Sequence, residues 1–146
     1  IPKTIGYLEK TKSIYPENIV IIPSCLSNKS EIVKMTNFEN NLLINKITKN
    51  SGFDTINIEA ISIDDFVEKH NIKKLDFIKA DIEGAERLML EGAAKTLKRF
   101  APKLAICTYH LPDDKKVLED LIIKANANYV IVHKYKKLYA YVPKNI

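Results

Sequence analysis

Residues 76–86 read DFIKADIEGAE and change their pattern halfway along. Phe77 and Ile78 begin an apolar run of the kind that forms a buried strand. An acidic turn with Asp81 and Glu83 follows, and after Gly84 the apolar residues recur at helical spacing. A strand, a tight turn and a helix form half of a βαβ unit, and ligands bind at such turns in parallel sheets. We therefore predict that Asp81 and Glu83 lie in a ligand-binding turn.

A second strand followed by a helix comes directly after the first. Residues 103–109 form an apolar strand pattern, His110 stands at its end, and residues 112–125 carry one apolar helical face. If the two strands pair, their ends lie about 4.8 Å apart, and Asp81 and His110 line the same rim. A histidine or a carboxylate can accept a proton from a reacting group. This rim is therefore the candidate reaction site.

The remaining pattern predicts further α/β elements. Residues 18–26 contain a continuous apolar run that predicts a strand buried on both faces. Ser62 is a candidate N-cap for a helix that ends near His70, and Gly84 begins one continuous helix to about Arg99. Residues 36–52 show no clear pattern and are a candidate substrate-facing loop. The other predicted elements are a helix at 2–12, strands at 31–35 and 55–63, the latter at an edge or in an inserted hairpin, and a hairpin of strands at 129–133 and 138–142.

Composition limits the class of protein. The chain has 146 residues, of which 46% are hydrophobic and 28% charged, as in a soluble globular protein of one domain. No apolar run reaches membrane-spanning length, so we expect no membrane partner. The net charge is +5, but the lysines are dispersed and form no stripe with aromatic residues, which argues against nucleic acid. Cys25 and Cys107 belong to no metal-binding motif, and we expect reduced, buried thiols in a cytoplasmic protein.

The acidic turn and the helix after it resemble the FkbM-type methyltransferases. The residues that carry the resemblance are Asp76, Lys79, Asp81, Glu83, Gly84, Ala85, Glu86, Leu90, Gly92 and Ala93. The resemblance implies a Rossmann-like class I methyltransferase sheet, mostly parallel and ending in an antiparallel hairpin, in one domain over residues 1–146. It also implies S-adenosylmethionine as the cofactor and a sugar or small natural-product hydroxyl as the methyl acceptor.

The resemblance assigns roles to particular residues. Asp81 would lie near the methyl-bearing part of the cofactor, and Ser24 and Cys25 near its adenine. His110 would be the base at the acceptor site. Glu83 would assist catalysis or hold the turn by accepting backbone N–H groups, and Glu86 would pair with a lysine. We expect no dedicated metal cage, although Asp81 and Glu83 could share a cation.

The chain departs from the family pattern at its beginning. Its glycines are Gly6, Gly52, Gly84 and Gly92, and no glycine-rich cofactor loop is present. The chain aligns with the later part of the family's domain, so we expect an N-terminally incomplete sheet with two unpaired edges. A further N-terminal segment or an oligomeric partner would complete this sheet, or the chain is a remnant with altered strand pairing. The chain alone is expected to bind the cofactor poorly.

Two other functions are alternatives to methyl transfer. A non-catalytic remnant of the same fold, acting as a binding or scaffold domain, is the alternative that the missing glycine loop favours. A glycoside hydrolase needs two carboxylates across a cleft, whereas Asp81 and Glu83 stand in one turn. The leading interpretation is therefore an O-methyltransferase, with Asp81, Glu83 and His110 as its catalytic residues.

Overall fold

The computed structural model describes residues 2–36 and 55–143, which contain five helices and seven strands. The helices are α1 Pro2–Ile14, α2 Ile63–Lys69, α3 Glu86–Glu91, α4 Ala94–Phe100 and α5 Asp114–Ala125. The strands are β1 Cys25–Leu26, β2 Glu31–Thr36, β3 Thr55–Ile61, β4 Phe77–Ala80, β5 Lys103–Cys107, β6 Val130–Lys134 and β7 Lys137–Tyr141. The predicted substrate-facing loop falls almost entirely outside the described residues.

The strands form two sheets. The first has the order β1-β3-β2 and the second the order β4-β5-β7-β6. β4 and β5 pair in parallel, with Ile78 opposite Leu104, and the C-terminal hairpin β6–β7 pairs antiparallel as predicted. The predicted mostly parallel sheet is wrong for the described residues, because only β1–β3 and β4–β5 are parallel. The pairings β2–β3, β5–β7 and β6–β7 are antiparallel. Each sheet is therefore mixed.

The core lies between the four-stranded sheet and the helices α2 to α5. Its fully buried side chains include Met89, Leu97, Ile106, Leu118 and Leu138. Each such side chain stabilises the fold by roughly 1.5–3 kcal/mol relative to exposure. This packing fixes the direction in which β4 and β5 present their carboxyl ends.

The strand predicted at residues 18–26 is much shorter than expected. Only Cys25 and Leu26 pair, in parallel with Ala60 and Ile61 of β3. Val20, in the middle of the apolar run, is 82% exposed. A strand needs a neighbour for its backbone N–H and C=O groups, and the described residues offer this run none. The apolar run therefore does not form the predicted buried strand.

The helix predicted from Gly84 to Arg99 is in fact two helices, with a break at Gly92. A Cβ at Gly92 would lie 2.4 Å from the Ser27 carbonyl oxygen, so only glycine fits at this contact. The Gly92 carbonyl accepts the Asp64 N–H at 2.8 Å. The Asp64 carboxylate in turn accepts the N–H groups of Lys95 and Thr96 at the start of α4. The break between α3 and α4 is therefore in contact with α2 and with the loop after β1.

Other local predictions are confirmed. Ser62 caps α2 by accepting the Asp65 N–H at 3.0 Å, and His70 is the C-cap. β3 is the central strand of its sheet and pairs antiparallel with β2, so the hairpin alternative is correct and the edge alternative is wrong.

Across residues 2–36 and 55–143, no helix combines the length and the apolar composition that a membrane span requires.

Candidate functional site

The carboxyl ends of β4 and β5 bring three predicted residues together. Asp81 and Glu83 follow β4, and His110 follows β5, which pairs with β4 in parallel. His110 Nε2 lies 3.6 Å from Asp81 Oδ1 and 3.7 Å from Glu83 Oε2. The common rim expected from strand pairing is therefore present. We call these three side chains the rim cluster.

The turn that carries the two carboxylates has an unusual backbone. Glu83 adopts φ +56° and Gly84 φ +95°, so two successive residues are left-handed. Glycine adopts this conformation easily, whereas a residue with a Cβ does so at a cost of about 1–2 kcal/mol. With this backbone conformation, the Glu83 carboxylate points towards the His110 ring.

Glu86 stabilises this turn, a role that the sequence offered to Glu83. The Glu86 side chain is only 1% exposed and accepts the N–H groups of Ile82 at 2.8 Å and of Gly84 at 2.9 Å. Both donors precede the first turn of α3 and lack helical partners there. The predicted lysine partner of Glu86 is wrong, because in the described residues the carboxylate faces backbone N–H groups and His110. An acidic residue at the start of a helix was the available sequence signal.

His110 is buried among carboxylates. Its side chain is 8% exposed, and Nδ1 lies 3.1 Å from Glu86 Oε1 without the alignment of a hydrogen bond. Neither ring nitrogen has a hydrogen-bond partner among the described residues. Asp81 and Glu83 approach the other side of the ring. Three carboxylates, those of Asp81, Glu83 and Glu86, therefore lie around the imidazole ring.

Tyr109 belongs to the site, although the sequence did not single it out. Its hydroxyl donates a hydrogen bond to Asp81 Oδ1 at 2.8 Å, and its ring lies 4.2 Å from the His110 ring, centroid to centroid. Partial burial alone would raise the pKa of Asp81, but the hydrogen bonds from Tyr109 and Cys107 and the nearby positive charges outweigh it and lower that pKa. The same hydrogen bond raises the pKa of Tyr109 to about 12. Asp81 is therefore held as a carboxylate.

Ser24 and Cys25, the predicted adenine contacts, lie in the three-stranded sheet instead of at the rim. Ser24 Oγ donates to Glu59 Oε2 at 3.4 Å, and Cys25 pairs with Ala60 through β1. Burial raises the pKa of the Cys25 thiol, so the thiol stays protonated. The side-chain hydrogen bond of Ser24 and the strand pairing of Cys25 both join these residues to β3. Their role as cofactor contacts stays a prediction.

The rim cluster offers ligand atoms to a cation. One oxygen each from Asp81 and Glu83 and one nitrogen of His110 all lie within 4.8 Å of one another. The sequence suggested that the two carboxylates could share a cation, and the structure adds the imidazole to them. The arrangement can therefore take up a proton, a positively charged ligand or a metal ion.

Comparison with known proteins identifies relatives of the chain. A family model described as the methyltransferase FkbM domain matches residues 13–133. The chain is similar to the crystal structure of methyltransferase FkbM from Methylobacillus flagellatus KT, with 25% sequence identity and a TM-score of 0.65. The match covers 94% of this chain and 32% of that chain, so this chain spans about a third of the length of that relative. A search of curated proteins found no match.

Proposed function

Because the chain belongs to the FkbM methyltransferase family, we propose that it forms the acceptor side of an S-adenosylmethionine-dependent O-methyltransferase. The acceptor would be a hydroxyl group of a sugar or a small natural product. One observation carries the proposal: Asp81, Glu83 and His110 converge at the carboxyl ends of two parallel strands. That is the place where open α/β sheets bind their ligands.

The residues present fit one end of the cofactor. When bound, S-adenosylmethionine supplies an activated methyl group on a positively charged sulfonium. The carboxylates of Asp81 and Glu83 are partly exposed at the rim, at 38% and 37%, and suit a positive group beside them. The sequence contains four scattered glycines and no glycine-rich loop for the rest of the cofactor. We therefore expect weak binding by this chain alone.

The side chains of the rim have different roles in the proposed reaction. Asp81, with its lowered pKa, stays ionised at neutral pH and presents negative charge to the methyl-bearing end of the cofactor. His110 Nε2 has no hydrogen-bond partner among the described residues and faces the same rim, so it can accept the proton of an acceptor hydroxyl. Asp81, Glu83 and Glu86 surround the imidazole and stabilise the positive charge that results. Tyr109 fixes the orientation of Asp81.

A thermal-shift titration with the demethylated product S-adenosylhomocysteine tests the site. A ligand that binds only the native state raises the melting temperature. We expect a small rise at millimolar ligand that Asp81→Asn abolishes. Asp120→Asn is the matched control, because Asp120 lies exposed on α5 and pairs with Lys116. An equal rise in all three proteins would place the ligand elsewhere.

A non-catalytic binding module is the second candidate, and the missing glycine-rich loop favours it. Such a module would retain the rim for structural reasons, with Glu86 closing the turn. It predicts no thermal shift with either S-adenosylmethionine or S-adenosylhomocysteine, in this chain or in a version extended at the N-terminus. A shift that appears only in the extended version would favour the enzyme.

A further inference from the structure

The rim cluster has the donor atoms and spacing of a metal site. His110 Nε2 lies 3.6 Å and 3.7 Å from the nearest carboxylate oxygens of Asp81 and Glu83. Bonds of about 2.1 Å to a tetrahedral ion place two ligand atoms about 3.4 Å apart. The observed separations are thus too long for hydrogen bonds and close to those of ligands around one ion. The donor atoms of all three side chains lie within 4.8 Å of one another, so side-chain rotations can bring them around one ion.

The buried imidazole is an independent observation that points to a ligand. The His110 side chain is more than nine-tenths buried, and Nε2 has no hydrogen-bond partner among the described residues. A buried polar atom without a partner is costly, and one aimed between two carboxylates is more so. A proton on Nε2 would not reach either oxygen at hydrogen-bond distance. A metal ion between the three atoms would satisfy all of them.

The surroundings of the three atoms resemble the outer shell of a metal site. Tyr109 donates to Asp81 Oδ1, and Glu86 Oε1 lies 3.1 Å from His110 Nδ1, the nitrogen that faces away from the cluster. Carboxylates and hydroxyls in these positions orient ligands in metalloproteins. In the part of the chain that the structure describes, no lysine or arginine forms an ion pair with Asp81, Glu83 or Glu86. Three carboxylates therefore meet without a positive side chain bound between them.

We propose that Asp81, Glu83 and His110 bind one divalent transition-metal ion, of the kind of Mn²⁺ or Zn²⁺. The imidazole nitrogen favours Zn²⁺ and the two carboxylates suit Mn²⁺, whereas Mg²⁺ and Ca²⁺ favour sites made of oxygen alone. Three protein ligands leave at least one position for water or for an oxygen of another molecule. Asp81 and Glu83 are partly exposed, so that position is reachable from solvent.

The metal site deepens the proposed function, and only its role in catalysis rests on that function. An acceptor hydroxyl bound at the open position would release its proton to solvent more easily, because the cation lowers its pKa. In the metal-loaded site His110 is then a ligand, since Nε2 has a single lone pair. The cation, instead of His110, would then promote loss of the proton from the acceptor hydroxyl.

Direct binding of Mn²⁺ tests the proposal without any measurement of activity. The chain, freed of metal with a chelator, is titrated with MnCl₂, and free Mn²⁺ is followed by its paramagnetic resonance signal. We expect one ion per chain, and at least tenfold weaker binding in Glu83→Gln and in His110→Gln. His133→Gln is the matched control, because His133 pairs with Glu119 on the surface at 2.9 Å and should leave binding unchanged. MgCl₂ at equal concentration should not displace the bound Mn²⁺.

Two results would overturn the metal site. One is no binding at millimolar Mn²⁺ by a chain whose circular dichroism is that of a folded protein. The other is metal binding that the substitution Glu83→Gln leaves unchanged. Because the Glu83 side chain is partly exposed, this substitution should not disturb the fold. Failure of metal binding together with a thermal shift by S-adenosylhomocysteine would leave the methyltransferase standing, with His110 as proton acceptor. Metal binding without that shift would count against the methyltransferase alone.

Discussion

At the scale of single residues, the hydrogen bond from Tyr109 to Asp81 is the contact with the clearest electrostatic consequence. Tyr109→Phe removes a donor to the Asp81 carboxylate. We therefore expect the pKa of Asp81 to rise, because a hydrogen bond to the charged form favours ionisation. Carbon-13 NMR of the Asp81 carboxyl group measures this directly. Tyr139→Phe, which changes a tyrosine of β7, is the control, and an equal change in both variants would contradict the role of Tyr109.

The same contact makes a prediction for high pH. The pKa of Tyr109 is raised to about 12, first by the hydrogen bond to Asp81 and then by burial. A neutral group whose folded pKa is raised contributes stability below its unfolded value of about 10, and that stability is lost as the pH rises from about 10 to about 12. In Asp81→Asn the pKa of Tyr109, measured by its ultraviolet absorbance as the pH is raised, should be lower. A curve that does not move in Asp81→Asn would show that the two groups are not coupled.

The sequence predicted the meeting of Asp81 and His110 because parallel neighbouring strands end at one edge. It did not predict Tyr109 or the role of Glu86. Tyr109 is the last residue of the predicted strand, two residues beyond the end of β5, and the sequence pattern does not show that its hydroxyl reaches Asp81. Glu86 depends on the two left-handed residues before it, which return the chain so that its carboxylate meets Ile82 and Gly84. Such geometry has no periodic signature.

At the scale of secondary-structure elements, Gly92 separates α3 from α4 and touches the loop after β1. A Cβ there would lie 2.4 Å from a backbone oxygen of Ser27 and 2.9 Å from the Cα of Asn28. Backbone atoms cannot rotate aside, so we expect Gly92→Ala to lower the free energy of unfolding by about 1–3 kcal/mol or more. Urea denaturation followed by circular dichroism gives the value.

Gly6→Ala is the matched control for this substitution. Gly6 lies inside α1, and a Cβ there would meet no heavy atom within 4 Å. Alanine favours a helix interior by about 1 kcal/mol over glycine, so Gly6→Ala should be neutral or stabilising. If the two variants lost stability equally, the contact at Gly92 would not be the reason for its glycine.

Elements with complete local signals were predictable, and elements that depend on distant partners were not. The helix α5 has acidic residues at its start and one apolar face, and the hairpin β6–β7 has two short apolar runs around a lysine-rich turn. By contrast, the apolar run before Cys25 required a neighbouring strand that the described residues do not provide. The break at Gly92 required knowledge of the Ser27 loop, 65 positions away by difference of residue numbers. Tertiary contacts decided both cases.

At the scale of the whole molecule, the described strands divide into two sheets, and β4 lies at the edge of its sheet. Phe77 on β4 is more than half exposed, and this edge carries unpaired backbone groups. The chain spans about a third of the solved FkbM methyltransferase that it resembles. The completion of the sheet by a further segment or an oligomeric partner stays a prediction, and light scattering of the purified chain would show whether copies associate.

The family was predictable from the acidic turn because several unusual residues occur there at fixed spacing. The order of strands was harder to predict, because pairing across crossovers leaves no local trace. Contacts to a cofactor are the hardest to predict, because Cys25, with Ser24 just before it, lies in the three-stranded sheet, whereas the rim belongs to the other sheet. The central claim is therefore that the rim, and no other surface, binds the ligands.

Amide NMR mapping of the chain during titration with S-adenosylhomocysteine tests that claim most directly. Each backbone N–H reports on its own surroundings, so the affected residues locate the ligand even when binding is weak. We predict that the largest shifts fall on residues 81–86 and 108–111. Shifts that concentrate instead on the groove lined by Asp64, Glu68, Lys95 and Arg99 would contradict the claim and place the binding site between α2 and α4.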